Sequence, residues 1–232
     1  MIIDFHSHIL PGADHGSRRS AEAEIQLATI NSNRVDIVVA TPHFYPHMDN
    51  IEDFLESVDQ AIARVSKFKD KYSSTQICVG AEILALEMIG KMPDIDRLCI
   101  RGTNCILLEM PSLGSWSNYL LESVEEIIDR GFTVILAHID RYISRYKKEI
   151  DRLLESGAVA QINADGLKPF FLRKKLMPYI ESGKVYAIGS DLHGTHKKAY
   201  NAFCKASKRI GLTNYNKIMD NAAKLLENAE RF

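Results

Sequence analysis

Cysteine is scarce in this 232-residue chain, and neither sign of charge is in excess. None of the four cysteines forms a C-x-x-C pair, which argues against a structural thiolate zinc site and is typical of a reducing compartment. Lysine and arginine number 29 against 30 acidic residues, so the composition predicts no general attraction to nucleic acid or to an anionic membrane. No apolar run is long enough to span a bilayer.

Several catalytic motifs are absent as well. The sequence has no G-x-S-x-G elbow and no Walker P-loop, and no cysteine is followed six residues later by arginine. A thiol-based phosphatase mechanism is therefore excluded. Because the chain starts directly with the strand-like segment IIDF, we expect no signal peptide, and we predict a cytoplasmic protein.

Short apolar runs rich in valine and isoleucine alternate with longer segments of helical period. The runs are continuous, as expected for strands buried on both faces, and their sevenfold alternation with helices predicts parallel βαβ units. Seven such units favour a compact barrel in a single domain, residues 1–232. The predicted strands are 2–5, 35–41, 76–81, 105–110, 132–137, 158–162 and 185–189. The predicted helices lie near 18–33, 51–71, 117–130, 145–156, 170–182, 197–211 and 215–228.

Histidines and acidic residues follow the predicted strands, at the end of an α/β barrel where reactive residues gather. Residues two apart on a strand point to the same side, so His6 and His8 can face one ion, as can Asp191 and His193. A carboxylate buried at Glu109 needs a cationic partner, which either an arginine or a metal ion provides. The strand-end candidates are His6, His8, His15, His43, Glu82, Glu109, His138, Asn163, Asp165, Asp191 and His193.

The candidate ligands are too numerous for a single ion. They require two or three ions with at least one bridging carboxylate, and imidazole with carboxylate suits zinc, iron or manganese. Clustered divalent ions lower the pKa of a bound water and clamp phosphoryl oxygens, so the residue types predict metal-assisted hydrolysis of a phosphate ester. Arg141, three residues after His138, either grips the phosphate with two parallel hydrogen bonds or forms a surface ion pair.

Seven short motifs together resemble the PHP (polymerase and histidinol phosphatase) superfamily. Within it, their order and spacing resemble the bacterial manganese-dependent protein-tyrosine phosphatases of capsular and exopolysaccharide operons. H-x-H alone is unspecific, whereas the series in this order is highly specific. The motifs are DFHSHILPGADHG (4–16), ATPH (40–43), GAEI (80–83), LLEM (107–110), AHIDRY (137–142), QINADGL (161–167) and GSDLH (189–193).

The resemblance implies a distorted TIM-like (β/α)7 barrel of PHP type that holds three divalent ions. Manganese is the metal it implies, with iron and zinc as alternatives. By position, the first ion would be held by His6, His8, Glu82 and Asp191. Glu82 would bridge to a second ion, which would also be held by Glu109 and His138. The third ion would be held by His15, His43 and His193. Arg141 matches the family arginine that contacts phosphate, so the expected catalytic residues are Arg141, His138 and Glu109.

Two positions depart from the family pattern. Members usually carry Asp-Asp where this chain has Asp14-His15; we keep His15 as the predicted ligand and leave the role of Asp14 open. Members also tend to have an arginine shortly after S-D-x-H, where this chain has His196, Lys197 and Lys198. Lysine supplies charge without the bidentate fork of arginine. Lys197 and Lys198 are therefore predicted to bind substrate, with a phosphate affinity or substrate choice that differs from the family's.

The resemblance thus implies a phosphomonoesterase that acts on phosphotyrosine by attack of a metal-bound hydroxide. The expected partner is the tyrosine-rich tail of a membrane-associated tyrosine kinase that regulates polysaccharide export; neither membrane insertion nor nucleic acid binding is expected. The alternatives are a small-molecule phosphatase, such as one acting on histidinol phosphate, a PHP-type nuclease and a non-catalytic binding module. The near-neutral charge argues against the nuclease, and the complete ligand set argues against the binding module.

Overall fold

Parallel strands and helices alternate along the chain in the computed structural model, which describes residues 1–195 and 197–232, and only the backbone of 197–199. The strands are β1 (Ile3–Ser7), β2 (Ile37–Ala40), β3 (His43–Phe44), β4 (Gln76–Val79), β5 (Glu82–Leu84), β6 (Cys105–Glu109), β7 (Thr133–Leu136), β8 (Val159–Asn163) and β9 (Val185–Gly189). The α-helices are α1 (Ser20–Ser32), α2 (Ile51–Val65), α3 (Asn118–Asp129), α4 (Lys147–Glu155), α5 (Phe170–Glu181), α6 (Lys197–Phe203), α7 (Ala206–Ile210) and α8 (Leu212–Leu225). Short 3₁₀ helices cover Ser66–Phe68, Ile89–Lys91, Ile95–Leu98 and Ile139–Arg141.

Two of the seven predicted strands are interrupted. Thr41 and Pro42 separate β2 from β3, and Gly80 and Ala81 separate β4 from β5. Proline has no N–H to donate to the ladder, so regular pairing breaks beside Pro42. Hydrogen bonding nevertheless crosses the gap, because the Glu82 N–H donates to the Pro42 carbonyl at 3.0 Å. The nine strands therefore correspond to the seven that the sequence predicts.

Hydrogen bonds join the last strand to the first. The strand orders are β1-β2-β4 and β3-β5-β6-β7-β8-β9, and every pairing is parallel. Beyond β9, Leu192 forms a bridge with Ser7, and the Asp191 N–H donates to the His6 carbonyl at 2.8 Å. The sheet thus closes on itself. The predicted seven-stranded α/β barrel is confirmed.

Burial on both faces explains why the strands are apolar throughout. All residues of β1 and β2 are buried, since the barrel interior covers one face and the helices cover the other. In α2 the buried residues recur at helical spacing, and the Asn50 side chain caps the helix by accepting hydrogen bonds from the Glu52 and Asp53 N–H groups. One core cluster contains residues from Ile3 to Leu226.

Three helices differ from their predicted bounds by three residues or more, and one of them, predicted over 215–228, is α8 (Leu212–Leu225). The helix predicted over 51–71 ends at Val65 and continues as a 3₁₀ turn, and the one predicted over 197–211 divides after Phe203 into α6 and α7. The second break lets Phe203 and Ala206 both lie in the core. Among the helices in the described part of the chain, none is long and apolar enough to cross a membrane.

Helix α8 closes the barrel at the amino ends of the strands. Its Met219 is buried, and the Ile3 N–H donates to the Met219 sulfur at 3.3 Å. At the far end of the helix, the Cys105 thiol donates to the Leu225 carbonyl at 3.5 Å. The opposite end of the barrel, where the strands finish, is left free for the polar residues.

Replacing Met219 with alanine should lower the free energy of unfolding by about 2–4 kcal/mol, because it leaves a cavity beneath β1. Urea unfolding followed by circular dichroism measures the change. Leu212→Ala is the matched control on the same helix. Leu212 is 67% exposed, so its loss should change stability by less than about 0.5 kcal/mol. Equal losses in the two variants would contradict the closing role of α8.

Candidate metal centre

The carboxyl ends of the strands bring the nine predicted ligands to one end of the barrel. Within strands lie His6 in β1, His43 at the start of β3, Glu82 at the start of β5 and Glu109 at the end of β6. The loops that follow strands supply the others, namely His8 and His15 after β1, His138 after β7, and Asp191 and His193 after β9.

Glu82 lies at the middle of this cluster. Its side chain is 1% exposed, and four imidazoles surround it. Its Oε2 lies 3.1 Å from His6 Nε2, 3.3 Å from His8 Nε2 and 3.0 Å from His43 Nδ1, and its Oε1 lies 2.7 Å from His138 Nε2. A carboxylate that uses both oxygens in this way is placed to bridge two ions.

Asp191 faces two of the same imidazoles, those of His6 and His8, and also that of His193. Its Oδ1 lies 3.8 Å from His6 Nε2, 3.3 Å from His8 Nε2 and 3.3 Å from His193 Nδ1. Its Oδ2 accepts hydrogen bonds from the Arg141 guanidinium and, at 2.8 Å, from Asn163 Nδ2. Asp191 thus connects the histidine cluster to Arg141.

Glu109 and Arg141 complete the inner site. Glu109 Oε1 lies 3.6 Å from His138 Nε2 and 3.6 Å from Arg141 Nη1, while its Oε2 lies 3.9 Å from His43 Nδ1. The Arg141 side chain is 44% exposed, so its guanidinium contacts both the buried carboxylates and solvent. This arginine is the cation placed to meet an anion that enters the site.

His15 lies on the outer rim of the cluster. Its ring stacks on that of His43 with centroids 4.9 Å apart, and the His193 ring lies 5.0 Å away. Partial burial and the neighbouring His43 and His193 lower the pKa of His15. The neutral imidazole, which is the form that binds a metal, is therefore favoured.

The structure brings each of the three predicted ligand sets together. It also shows links between the sets. Among the described residues, ligand atoms of His8, His43 and His193 lie within 4.8 Å of one another, as do those of His43, Glu82 and Glu109. His43 is therefore closer to the carboxylates than its predicted assignment to the third ion requires.

Opposing effects determine the pKa values in the cluster. Burial alone would raise the pKa of Glu82, but the charge of His6 and hydrogen bonds from the surrounding imidazoles hold it well below its usual value. Burial lowers the pKa of His138. Burial and the charge of Glu82 raise the pKa of Glu109. An ionised Glu82 and a neutral His138 are the forms in which these two groups bind a metal. The neighbouring carboxylates, in contrast, raise the pKa of His6 and of His8.

The donor set fits divalent cations. His43 Nδ1 is buried and lies 3.0 Å from Glu82 Oε2, yet it has no hydrogen-bond partner among the described residues. His6 Nε2 and His8 Nε2 face each other at 3.1 Å, and both also face Glu82 Oε2. Imidazole nitrogens and a carboxylate oxygen that converge on one point in this way can all direct lone pairs to a cation between them.

Asp14, whose role the sequence leaves open, orients two of the histidines. Its Oδ2 lies 2.6 Å from His8 Nδ1 and accepts a hydrogen bond from the His43 N–H at 3.0 Å. Its Oδ1 accepts a hydrogen bond from the Gly16 N–H at 2.8 Å. A carboxylate on the far nitrogen of a ligating imidazole sets the tautomer and the direction of the ring.

Gln161, which sequence reasoning missed, supports two more histidines. Its buried Oε1 accepts a hydrogen bond from the His138 N–H at 2.5 Å and lies 3.4 Å from His6 Nδ1. His138 has a φ of 33°, in the left-handed region that non-glycine residues rarely adopt. The hydrogen bond from its N–H helps to hold this strained conformation. The available signal was a glutamine inside the otherwise apolar run AVAQI.

Two cavities flank the cluster. One, of about 360 Å³, lies beside His15 and His43, and Asp49 and Asp53 are among its lining residues. The other, of about 450 Å³, lies beside Arg141. The predicted substrate-binding side chains of Lys197 and Lys198 lie outside the part of the chain whose side chains the structure describes.

A parallel α/β barrel with a buried cluster of imidazoles and carboxylates at its carboxyl end is typical of metal-dependent hydrolases. The family model for capsular polysaccharide synthesis, CpsB/CapC, matches residues 2–227, and the chain belongs to this family.

Two proteins of similar sequence support the same family assignment. The tyrosine-protein phosphatase CpsB of Streptococcus pneumoniae is 26% identical over 204 residues, which is 83% of each chain. The protein of the same name from Streptococcus agalactiae is 23% identical over 245 residues, covering 98% of this chain and 99% of the relative.

Solved structures share the fold. One solved chain comes from the crystal structures of YwqE from Bacillus subtilis and CpsB from Streptococcus pneumoniae, which are described as metal-dependent tyrosine phosphatases. It matches this chain with a TM-score of 0.78 at 23% identity, and the match covers 100% of this chain and 96% of that one. Histidinol phosphate phosphatase from Lactococcus lactis, solved with zinc, histidinol and phosphate, gives 0.58 at 13% identity, covering 90% and 92%.

Replacing Gln161 with methionine should weaken the binding of a divalent metal ion by about 10–100-fold, because His138 and His6 lose the partner that orients them. Calorimetric titration with Mn²⁺ measures the affinity. Ser123→Ala is the matched control, since it also removes the acceptor of a buried backbone N–H, that of Gly90 at 2.8 Å. The control should lose stability and keep its metal affinity. Wild-type metal affinity in Gln161→Met would contradict the orienting role.

Proposed function

We propose that this protein is a metal-dependent phosphomonoesterase that acts on phosphotyrosine. The observation that carries the proposal is the buried Glu82 carboxylate among four imidazoles, with the half-exposed Arg141 guanidinium beside it. Membership of the CpsB/CapC family and the tyrosine phosphatase names of its relatives support the choice of reaction and substrate.

Three divalent ions, with manganese as the metal, are proposed to occupy the cluster. Their ligands are His6, His8, His15, His43, Glu82, Glu109, His138, Asp191 and His193. When bound, the ions supply an activated water as nucleophile and neutralise negative charge on the phosphoryl oxygens. The imidazole and carboxylate donors, without thiolate, support a metal such as manganese, iron or zinc.

Arg141 is the residue of this chain proposed to contact the phosphate. Its guanidinium is held by Asp191 and lies 3.6 Å from Glu109, so its position is largely set before substrate arrives. The planar fork can donate two parallel hydrogen bonds to phosphoryl oxygens and stabilise the charge that develops as the phenolate leaves. Asn163 supports this arrangement by donating a hydrogen bond to the same Asp191 oxygen that Arg141 contacts.

The cavity beside Arg141 is proposed to receive the phosphotyrosine ring. His193 and Asp191 line its inner side, and Pro169 and Leu172 supply an apolar wall. The expected protein substrate is the tyrosine-rich tail of a membrane-associated tyrosine kinase, encountered in the cytoplasm. The family's description as capsular polysaccharide synthesis proteins supports a partner in that process.

Removal of metal by EDTA should abolish release of phosphate from p-nitrophenyl phosphate and from a phosphotyrosyl peptide, and Mn²⁺ should restore it. His138→Ala should reduce kcat by at least about 100-fold, because the chain loses a donor to the proposed second ion. His47→Ala is the control: His47 is exposed and should leave activity unchanged. Hydrolysis by metal-free protein, or faster turnover of histidinol phosphate than of the peptide, would refute the proposal.

Arg141→Lys should lower kcat/KM for p-nitrophenyl phosphate by about 100-fold, since lysine keeps the charge and loses the bidentate fork. The manganese content of the purified variant should match that of the wild type. Arg145→Lys, at an exposed position in the same loop, is the matched control and should behave as wild type. Unchanged kinetics in Arg141→Lys would place the phosphate contact elsewhere.

A further inference from the structure

Two adjacent phenylalanines are exposed at the start of α5. Phe170 is 62% exposed and Phe171 is 80% exposed, and their rings meet edge to face with centroids 5.7 Å apart. We call these two residues the phenylalanine surface. Exposed aromatic pairs of this kind are unfavourable in water and are typical of contact sites.

The phenylalanine surface adjoins the cavity beside Arg141. The residues that flank it in sequence, Pro169 and Leu172, both line that cavity. Arg141 lines the same cavity, next to Asp191 of the metal centre. Arg141 and the two residues that flank the phenylalanine surface in sequence therefore line one cavity, and the two rings lie just outside that lining.

The surroundings of the phenylalanine surface are basic. Residues 168–175 read KPFFLRKK, with four cations and no carboxylate. The Arg173 guanidinium lies over the Phe170 ring at 5.7 Å. Lys175 Nζ donates to Ser144 Oγ at 3.0 Å, which joins α5 to the loop that carries Arg141. An anionic segment is the complement of this surface.

The carboxylates of the cavity do not cancel this charge. Asp191 is paired with Arg141. Asp140 is buried and accepts a hydrogen bond from the Asn163 N–H at 2.7 Å. Asp165 is the exposed carboxylate among the residues that line the cavity, and the adjoining helix contributes the cations Arg173, Lys174 and Lys175.

We propose that the phenylalanine surface docks the polypeptide that flanks the phosphotyrosine, and that it prefers a segment with an apolar side chain and acidic neighbours. The proposal rests on the proposed function and adds a contact surface outside the cavity, together with the kind of flanking sequence that this surface would prefer. The nearness of the cavity beside Arg141 favours a peptide over a membrane surface, because a lipid surface would gain nothing from a cavity that leads to the metal centre.

The test measures peptide binding apart from hydrolysis. Two labelled peptides carry the non-hydrolysable phosphonomethyl-phenylalanine, one with leucine and aspartate neighbours and one with lysine neighbours. Fluorescence anisotropy with manganese-loaded protein gives the two Kd values. The wild type should bind the acidic peptide at least about tenfold more tightly, and F170S/F171S should lose most of that affinity. Lys174→Glu should weaken binding of the acidic peptide only.

Leu212→Ser is the matched control, since it removes an apolar side chain that is 67% exposed on α8. It should bind both peptides as the wild type does. Both F170S/F171S and Leu212→Ser should hydrolyse p-nitrophenyl phosphate at the wild-type rate. Wild-type peptide affinity in F170S/F171S would overturn the proposal. So would an equal loss of p-nitrophenyl phosphate hydrolysis, which would mean that the two rings only support the metal centre.

Two other occupants of the surface are tested on the same variants. Sedimentation with anionic phosphatidylserine vesicles and equilibrium ultracentrifugation report membrane binding and self-association. If F170S/F171S loses either property while its peptide affinity stays unchanged, the proposal is overturned. Failure of the proposed function has a different signature: wild-type protein would release no phosphate from the phosphotyrosyl peptide, or would turn over histidinol phosphate faster, whereas the anisotropy measurement would still report docking.

Discussion

The buried carboxylate of Glu82 is the constraint on which the rest of the site depends. A carboxylate removed from water costs several kcal/mol unless cations or hydrogen-bond donors meet it. Here four imidazoles do so, and they arrive from the ends of three separate strands. The charge can be balanced only when the barrel is closed, so the fold and the proposed metal centre depend on each other.

Two of the residues around Glu82 and its imidazoles have strained backbone conformations, which hydrogen bonds hold in place. His138 and Asp191 adopt left-handed backbone conformations, with φ of 33° and 51°, which are unfavourable for residues with a side chain. Hydrogen bonds from their N–H groups, to Gln161 Oε1 and to the His6 carbonyl, offset that strain. Strain of this kind persists where the surrounding structure determines the conformation, and it is common at functional sites.

The two flanking cavities differ in their cationic side chains, and this difference indicates the side from which an anionic substrate would enter. Each cavity is lined by three aspartates, namely Asp14, Asp49 and Asp53 beside His15 and Asp140, Asp165 and Asp191 in the other, but among the lining residues Arg141 is present only in the second. An anionic substrate is therefore expected to enter on the Arg141 side. The basic start of α5 and its two exposed phenylalanines lie on that side, which links the proposed docking surface to the proposed chemistry.

Much of this protein was determined by local sequence. Continuous apolar runs predicted the seven strands, and the position of each polar residue after a run predicted the ligands, because parallel strands all finish at one end of a barrel. Tertiary structure alone decided which atoms meet. Asp14 contacts His8 through the fold of the first loop, and Gln161 reaches His138 across neighbouring strands. Such pairs depend on the register and closure of the sheet, which no short segment of sequence encodes.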